Sequence, residues 1–294
     1  MKGLNRKRAE AESGAGDVGR GVVSTQPVDI TDAEFARVRA LAMRLAGISI
    51  AASKKALVVG RWGRRLAYHG LATFDDYLAL LSEKGAAEEL QIALDLLTTN
   101  ETNFFREPKH FEFLKKEVLP QAKRGASFRV WSAACSSGEE PYSIAMLLAA
   151  ELQNSPWEVL GTDISTRVLK TARIGLYELS RGEPIPRDYL QRFCLRGTGP
   201  HAGQFMIDRT VRERVQFSQA NLNEPMPDFG KFDVILLRNV MIYFDAPTKE
   251  RVIKHLVPAL KPGGYFIIGH CDALAGVSHS LTACSASVYR KGTA

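Results

Sequence analysis

The sequence predicts an α/β protein in which an all-α region precedes a mainly parallel sheet. Residues 28–97 show hydrophobic residues at helical spacing and no strand pattern. From residue 127 onward, short apolar runs alternate with helical patterns. Such alternation is typical of a parallel sheet with helices on its faces, whereas the first region is typical of a helical bundle. The 294 residues are enough for two domains of this kind.

The N-terminal part of the chain divides into a tail and a bundle. Residues 1–27 are rich in glycine, serine and charge and have few apolar residues, so we predict that they form a disordered tail. Residues 28–97 form the predicted helical domain. Capping-box signatures at Thr31 and Thr73 mark two helix starts, and the basic segment 53–69 between them is also predicted to be helical.

Residues 98–126 are predicted to be a linker and a connecting helix, with the helix around 109–119. The linker contains two adjacent aromatic residues, Phe104 and Phe105. Because aromatic side chains are costly to leave in water, we expect this pair to dock against the folded part of the chain.

Residues 127–294 are predicted to form one α/β domain. Its strands are expected at 128–131, 158–162, 214–218, 232–237 and 264–269, its helices at 139–153, 165–174 and 247–260, and an antiparallel edge at 281–289. Residues 176–213 interrupt the alternation with glycines and alternating apolar residues. This interruption indicates a small β subdomain inserted into the domain.

The composition argues against several classes of protein. No apolar run approaches the roughly 20 residues that a membrane helix needs, and no apolar segment of a signal peptide follows the basic N-terminus. The four cysteines are far apart and form no Cys-x-x-Cys pair, so we predict neither a disulfide framework nor a metal site. We therefore expect a reduced, cytoplasmic protein without membrane insertion, and we expect a monomer.

The formal net charge of +7 requires an explanation. Nucleic acid, anionic lipid and an acidic protein are the partners that such a charge can attract. Five cations of the helical region occur with no acidic residue among them: Lys54, Lys55, Arg61, Arg64 and Arg65. This patch favours an acidic protein partner, and since no RNA-binding motif is visible we expect no nucleic acid.

A turn built from small residues follows the first predicted strand. Residues 132–138 are only serine, alanine, cysteine and glycine, and Glu139 and Glu140 come directly after them at the start of a helix. The turn is not a G-x-G-x-x-G motif and has no lysine or arginine to meet a pyrophosphate. Two carboxylates suit a cationic ligand without phosphate, and S-adenosylmethionine fits this description. The alternative is an ordinary helix start, since the helix dipole also favours acidic residues there.

Polar residues follow two further predicted strands, at the edge where open α/β sheets bind ligands. Asp163 can accept hydrogen bonds from the two ribose hydroxyls of a nucleoside, or it can cap the helix that begins near Ser165. Asn221 and Leu222 suit an adenine ring, with an Asx-turn as the alternative.

Arg238 and Asn239 follow the predicted strand 232–237. A buried arginine needs a partner, and the carboxylate can belong to the substrate, to the cofactor or to the protein core. Tyr243 can face a reacting methyl group or simply pack. We interpret His270, after the next strand, as a hydrogen-bonded core residue rather than a base.

Taken together, these segments resemble the CheR-type chemotaxis receptor glutamate methyltransferases. The resemblance lies in residues 100–106, 132–143, 162–164, 238–245 and 269–270, in that order, within about residues 28–290. It implies a Rossmann-like S-adenosylmethionine-dependent methyltransferase domain with a small antiparallel β insertion, preceded by an all-α domain. The implied reaction methylates glutamates of a chemoreceptor's cytoplasmic domain for sensory adaptation and leaves S-adenosylhomocysteine.

The resemblance also assigns roles to residues. The implied cofactor contacts are Asn100, Thr102, Arg106, Glu139, Asp163, Asn221, Leu222, Arg238 and Asn239. The implied catalytic residues are Arg106, Arg238 and Tyr243. The implied partner is the helical bundle of a chemoreceptor, which would meet the basic patch described above. Gly197, Gly199 and Gly203 lie in a loop similar to that of members that also bind a receptor's C-terminal pentapeptide.

Two other functions stay open at this point. A methyltransferase of the same fold can act on RNA or a small molecule, and a non-catalytic module can bind S-adenosylmethionine as a sensor. Arg238 and Tyr243 argue against the sensor, because binding alone does not require them.

Overall fold

A computed structural model describes residues 28–123, 125–153 and 155–293. The predicted tail at 1–27 lies outside these residues. Within them, no helix is both long enough and apolar enough to cross a membrane.

The N-terminal region is helical, as predicted. Its helices are α1 (Asp32–Ala46), α2 (Lys55–His69), α3 (Phe74–Leu80) and α4 (Ala87–Leu97). Thr31 and Thr73 form the expected capping boxes, in which each side chain accepts a hydrogen bond from a backbone N–H of the first turn. Trp62 is fully buried at the centre of the bundle, and its indole N–H donates to the carbonyl of Ala93 at 3.0 Å.

Helices and strands alternate after the linker. The helices are α5 (Pro108–Phe113), α6 (Glu139–Glu151), α7 (Thr166–Ile174), α8 (Arg187–Phe193), α9 (Arg209–Arg212) and α10 (Ala246–Leu256). The strands are β1 (Phe128–Ser132), β2 (Trp157–Asp163), β3 (Leu176–Glu178), β4 (Cys194–Arg196), β5 (Gln204–Ile207), β6 (Val215–Gln219), β7 (Phe232–Leu237), β8 (Leu260–Ile268), β9 (Leu281–Ala283) and β10 (Val288–Lys291).

The main sheet has the strand order β6-β2-β1-β7-β8-β10-β9. The strands from β6 to β8 are parallel, and β10 pairs antiparallel with both β8 and β9. Apolar clusters lie on both faces of the sheet, so β7 is buried along almost its whole length. Burial on both faces explains why its sequence is a continuous apolar run rather than an alternating one. The predicted fold class is confirmed.

The inserted subdomain is a three-stranded antiparallel sheet of order β3-β5-β4. Phe104 of the linker is fully buried against it, with its ring centroid 5.0 Å from that of Tyr177 and 5.8 Å from that of Phe205. Phe105 packs on Phe111 and Tyr189. The linker is therefore held in place by its two aromatic side chains, as we expected.

The helical domain lies against the carboxyl ends of the parallel strands. The backbone N–H of Ser49, just after α1, donates to the carbonyl of Tyr243 at 2.8 Å. The side-chain amide of Asn221 donates to the carbonyl of Leu45 at 2.7 Å. The two domains therefore meet at the edge where ligands of such sheets bind.

Three predicted elements differ in detail from the structure. The predicted helix 247–260 ends as α10 at Leu256, since Pro258 has no N–H to continue the helix. The helix predicted around 109–119 is α5 followed by a π-helical turn over Leu114–Val118. The predicted edge 281–289 is the hairpin pair β9 and β10.

Candidate active site

A cavity of about 950 Å³, including its open mouth, lies at the carboxyl ends of the strands. Its wall comes from the end of α1, the linker and the loops after β1, β2, β6 and β7. The predicted cofactor contacts that line it are Asn100, Thr102, Arg106, Asp163, Asn221, Leu222, Arg238 and Asn239, and Tyr243 lines it as well. The structure thus brings together the predicted cofactor and catalytic residues, with the exception of Glu139.

The small-residue turn forms one wall of the cavity. Ala133, Ala134 and Ser136 face the cavity and leave room for a ligand close to the backbone. Gly138 has φ +98°, and a Cβ there would lie 2.9 Å from the Cβ of Ala172, so the turn requires glycine at this position.

The structure corrects the prediction for Glu139. This side chain is fully buried, is not part of the cavity wall, and pairs with Arg181 of the inserted subdomain. Burial raises the pKa of Glu139, although hydrogen bonding from Ser137 and the charge of Arg181 oppose the shift. Glu140 lines the cavity instead, because successive side chains on a helix point about 100° apart.

Asp163 stands at the end of β2 and is almost completely buried. One carboxylate oxygen accepts from the backbone N–H of Ser136 at 2.8 Å, and the other accepts from that of Ser165 at 2.9 Å. Burial raises its pKa, and these backbone hydrogen bonds oppose the shift. The hydroxyl of Ser165 caps α7, so Asp163 is not needed as the cap and remains available to a ligand.

Arg238 has its partners inside the protein. Its side chain is 1% exposed, with Nη1 2.7 Å from Glu140 Oε2 and Nη2 3.1 Å from Glu107 Oε2. Nη2 also donates to the carbonyl of Arg106. Of the three kinds of partner that the sequence left open, the structure selects protein carboxylates. The guanidinium is therefore largely occupied, and it braces the linker against β7 and α6.

Glu107 connects this ion-pair cluster to the loops around it. Its carboxylate accepts from the side-chain amide of Asn239 at 3.1 Å and from the backbone N–H of His270 at 3.2 Å. Burial would raise its pKa, but Arg238 and these hydrogen bonds lower it below the usual range. Glu107 also has φ 57°, an uncommon conformation for a residue other than glycine. The linker is thus fixed at a strained position beside the site.

Arg106 and Tyr243 differ from Arg238 in having no acidic partner within the described part of the chain. Arg106 donates to the carbonyl of Glu101 at 3.0 Å and has no ion pair among the described residues. The Tyr243 ring is half-buried in the cavity wall, and its backbone carbonyl binds the helical domain through Ser49. Arg106 is therefore the guanidinium in this wall that can receive an external carboxylate.

The structure shows the Asx-turn, and the adenine role of Asn221 and Leu222 stays a prediction. The Asn221 side chain accepts from the backbone N–H of Asn223 at 3.1 Å, which is the Asx-turn. Asn221 and the buried Leu222 also line the cavity. The Asx-turn is therefore compatible with a position of both residues in the cavity wall.

Two acidic residues around the site were missed by the sequence analysis: Glu107 and Asp272. Glu140 was recognised only as one of the two carboxylates at the helix start. Asp272 accepts from the backbone N–H of Gly269 at 3.0 Å and from that of Asn239, and burial raises its pKa. Glu107 could have been recognised from the sequence, because it directly follows Arg106, which was predicted to be in the site. Nothing local distinguishes Asp272 from a surface residue.

The structure corrects the interpretation of His270, whose side chain is exposed rather than in the core. Its ring packs edge-on against His110, with centroids 4.9 Å apart. Burial, and secondly the charge of Arg238, lower the pKa of His110 to about 4. Glu107, His110 and His270 bring potential metal-ligand atoms within 4.8 Å of one another. Because Glu107 is already paired with Arg238, we assign no metal to this cluster.

Three of the five cations in the basic patch already have partners within the protein. Arg65 pairs with Glu89 of α4, and Lys55 pairs with Asp32 of α1 at 2.9 Å. Arg61 donates to the carbonyls of Leu97 and Thr98. Lys54 and Arg64 are exposed. The acidic partners come from other helices, so the absence of acids within the patch did not reveal them.

The three glycines of the predicted receptor loop lie between β4 and β5. Gly199 and Gly203 have positive φ, and a Cβ on Gly197 would lie 2.1 Å from the carbonyl oxygen of His201. The loop shape therefore depends on glycine at Gly197. None of the three lines the cavity.

Two family models match almost the whole described chain. Residues 33–98 match the all-alpha domain of CheR methyltransferases, and residues 100–290 match their SAM binding domain. The chain belongs to the CheR methyltransferase family. The predictions of the family and of S-adenosylmethionine as the cofactor are therefore confirmed.

Several chemotaxis protein methyltransferases are similar to this chain over most of their length. The chemotaxis protein methyltransferase of Salmonella typhimurium is 41% identical over 268 residues, which cover 90% of this chain and 92% of that protein. Chemotaxis protein methyltransferase 2 of Pseudomonas aeruginosa is 41% identical over 271 residues, covering 91% and 96%. The chemotaxis protein methyltransferase of Escherichia coli is 40% identical over 270 residues, covering 90% and 93%.

The geometry of the cavity fits the cofactor of this CheR domain. Asp163 offers a carboxylate in the cavity wall that suits ribose hydroxyls, because each carboxylate oxygen can accept more than one hydrogen bond. The turn itself carries no cation for a phosphate. The charge of Arg238 is offset by Glu107 and Glu140, so the wall can accept a positively charged ligand.

Proposed function

We propose that the protein transfers a methyl group from S-adenosylmethionine to glutamate side chains of chemoreceptor cytoplasmic domains, forming methyl esters for sensory adaptation. The observation that carries the proposal is the position of Arg106. Its guanidinium has no acidic partner among the described residues and lines the same cavity as Asp163 and Tyr243. A carboxylate bound there would meet the cofactor inside one cavity.

The proposed reaction does not require acid–base catalysis by the protein. A glutamate side chain has a pKa of about 4.3, so it is already ionised at neutral pH and needs no general base. The described residues that line the cavity include no histidine, which agrees with this. When bound, S-adenosylmethionine supplies an electrophilic methyl group on a positively charged sulfur. The chain's work is then to orient the acceptor and to exclude water, since water hinders reactions in which opposite charges combine.

Individual residues take distinct parts in this scheme. Arg106 holds the acceptor carboxylate, and the half-buried Tyr243 shapes the wall beside it. Asp163 orients the cofactor through its ribose. Arg238 acts indirectly, because it fixes Glu107, and Glu107 in turn holds the amide of Asn239.

We further propose that the helical domain contacts the receptor's acidic helical bundle in the cytoplasm. Lys54 and Arg64 are the exposed cations of the basic patch, and Arg61 lies near the cavity mouth. The β4–β5 loop is a second candidate contact, for a receptor's C-terminal pentapeptide. Tethering of that kind raises the local substrate concentration without adding contacts at the active site.

The test is to incubate the chain with radiolabelled S-adenosylmethionine and cytoplasmic receptor fragments, with and without the C-terminal pentapeptide. We expect label that is released as methanol by mild base, as from a methyl ester, and no label when the acceptor glutamates are changed to glutamine. Transfer to RNA or small molecules instead would refute the proposal. Cofactor binding without transfer to any fragment would favour the sensor module.

A further inference from the structure

An open cleft lies beside the cavity and is lined by four arginines. Arg61 comes from α2, Arg106 from the linker, Arg167 from α7 and Arg181 from the inserted subdomain. The linker residues 98–102 and Arg106 line both the cleft and the cavity. The cleft therefore leads into the cavity, and four separate segments of the chain bring cations to it.

Most of this charge is not neutralised by the protein. Arg181 pairs with Glu139, but Arg61, Arg106 and Arg167 have no ion pair among the described residues. The acidic residue in the cleft wall is Glu101, which is exposed. Burial lowers the pKa of Arg61, Tyr243 opposes this shift, and the nearby charge of Arg167 adds to the lowering. The three arginines without an ion pair outnumber the one exposed carboxylate of the cleft wall, and this excess of positive charge favours the binding of an anion.

One acceptor carboxylate does not account for this arrangement. A single carboxylate is fully matched by one guanidinium, and Arg106 in the cavity wall can fill that role. Arg61 and Arg167 stand further out, at the cleft. On a helical substrate, residues one turn apart lie on the same face, about 5–6 Å from each other. A second carboxylate one turn from the acceptor is thus a natural partner for the outer pair.

We propose that Arg167, together with Arg61, binds a second carboxylate of the substrate and so determines which glutamates are methylated. This inference rests on the proposed function. Arg167 is exposed on the first turn of α7, and its guanidinium donates to Asn100 Oδ1 at 3.3 Å. It is a specificity residue rather than a catalytic one, because it does not line the cavity.

The test compares Arg167→Ala with Arg173→Ala, a matched control on the same helix. Arg173 is exposed, donates to the carbonyl of Phe217 and does not line the cleft. Initial methylation rates are measured on two receptor fragments, with glutamate or glutamine one turn from the acceptor. For Arg167→Ala we expect the KM of the acidic fragment to rise about fivefold with little change in kcat. On the glutamine fragment, Arg167→Ala and wild type should have equal KM values.

Two outcomes would overturn the inference. One is an equal KM for Arg167→Ala and Arg173→Ala on the acidic fragment. The other is a rise in the Kd of S-adenosylhomocysteine that accounts for the whole change in KM. Arg167 would then act by holding Asn100 against the cofactor and not by binding the substrate. Calorimetry on each variant measures that Kd.

A charge exchange separates recognition from a structural role. The Arg167→Glu variant should methylate the acidic fragment poorly. A fragment with lysine one turn from the acceptor should restore the KM of this variant. Absence of restoration would also overturn the inference. If wild type methylates no fragment at all, the proposed function itself fails. If wild type is active and Arg167→Ala matches it, only the present inference fails.

Discussion

Replacement of Arg238 by methionine tests the ion-pair cluster most directly. Its side chain is 1% exposed, and those of its partners Glu107 and Glu140 are 12% and 11% exposed. Methionine fills much of the space but leaves both carboxylates without a cation. Removing one partner of a buried pair costs about 3–5 kcal/mol. Glu140 keeps a hydrogen bond from the Ser132 hydroxyl at 2.7 Å, so we expect a loss near the lower end, about 3 kcal/mol.

The assay is urea unfolding followed by circular dichroism, with the free energy of unfolding extrapolated to water. The double variant Arg238→Met/Glu140→Gln is the control, because it removes one of the stranded charges, and it should recover about 1–2 kcal/mol. Arg238→Met should also lose most of its methylation activity, since Glu107 and Asn239 lose their anchor. A single variant as stable and as active as wild type would refute the role of Arg238 as an internal brace.

Three further predictions concern the cavity and its surroundings. Tyr243→Phe should keep partial activity, losing less kcat than the roughly hundredfold expected for a general acid or base. Asp163→Asn should raise the Kd of S-adenosylhomocysteine about tenfold in calorimetry, because a charged acceptor for the ribose becomes neutral. The free energy of unfolding should fall by up to about 3 kcal/mol between pH 6.5 and pH 4, because buried His110 has its pKa lowered to about 4 from 6.5 and the unfolded chain therefore binds more protons.

Each of these predictions has a result that would contradict it. A hundredfold loss in Tyr243→Phe would assign the hydroxyl a proton-transfer role. An unchanged Kd in Asp163→Asn would remove the ribose assignment. For the pH dependence, His110→Gln is the control, and a slope between pH 4 and 6.5 as steep as that of wild type would attribute the effect to other groups.

Local patterns were sufficient to predict most of the fold. The capping boxes at Thr31 and Thr73 mark helix starts because their hydrogen bonds lie within one turn. The strands of the parallel sheet are continuous apolar runs because both faces are buried. The positions of Asp163 and Arg238 at strand ends followed from this, since such ends meet at one edge of the sheet.

Contacts between distant segments could not be predicted in this way. Arg65 and Glu89 lie 24 residues apart on different helices, so the sequence of the basic patch contains no sign of their pairing. The sequence does not show how far α6 is rotated about its axis, so it could not reveal that Glu139 pairs with Arg181 of the inserted subdomain while Glu140 lines the cavity. Likewise, the partners of Arg238 come from the linker and α6, and only the assembled fold brings them together.

The helical domain supplies part of the cavity wall through Ala46 and Ile48, and Ser49 and Leu45 are hydrogen-bonded to the residues opposite. The relative position of the two domains therefore sets the shape of the cavity, and with it the affinity for the cofactor. In a fragment that starts at the linker, one side of the cavity would be open to solvent. Asn221 would lose its hydrogen bond to Leu45, and Tyr243 would lose that from Ser49. Cutting the protein at its domain boundary would therefore remove part of the cavity wall rather than isolate a complete site.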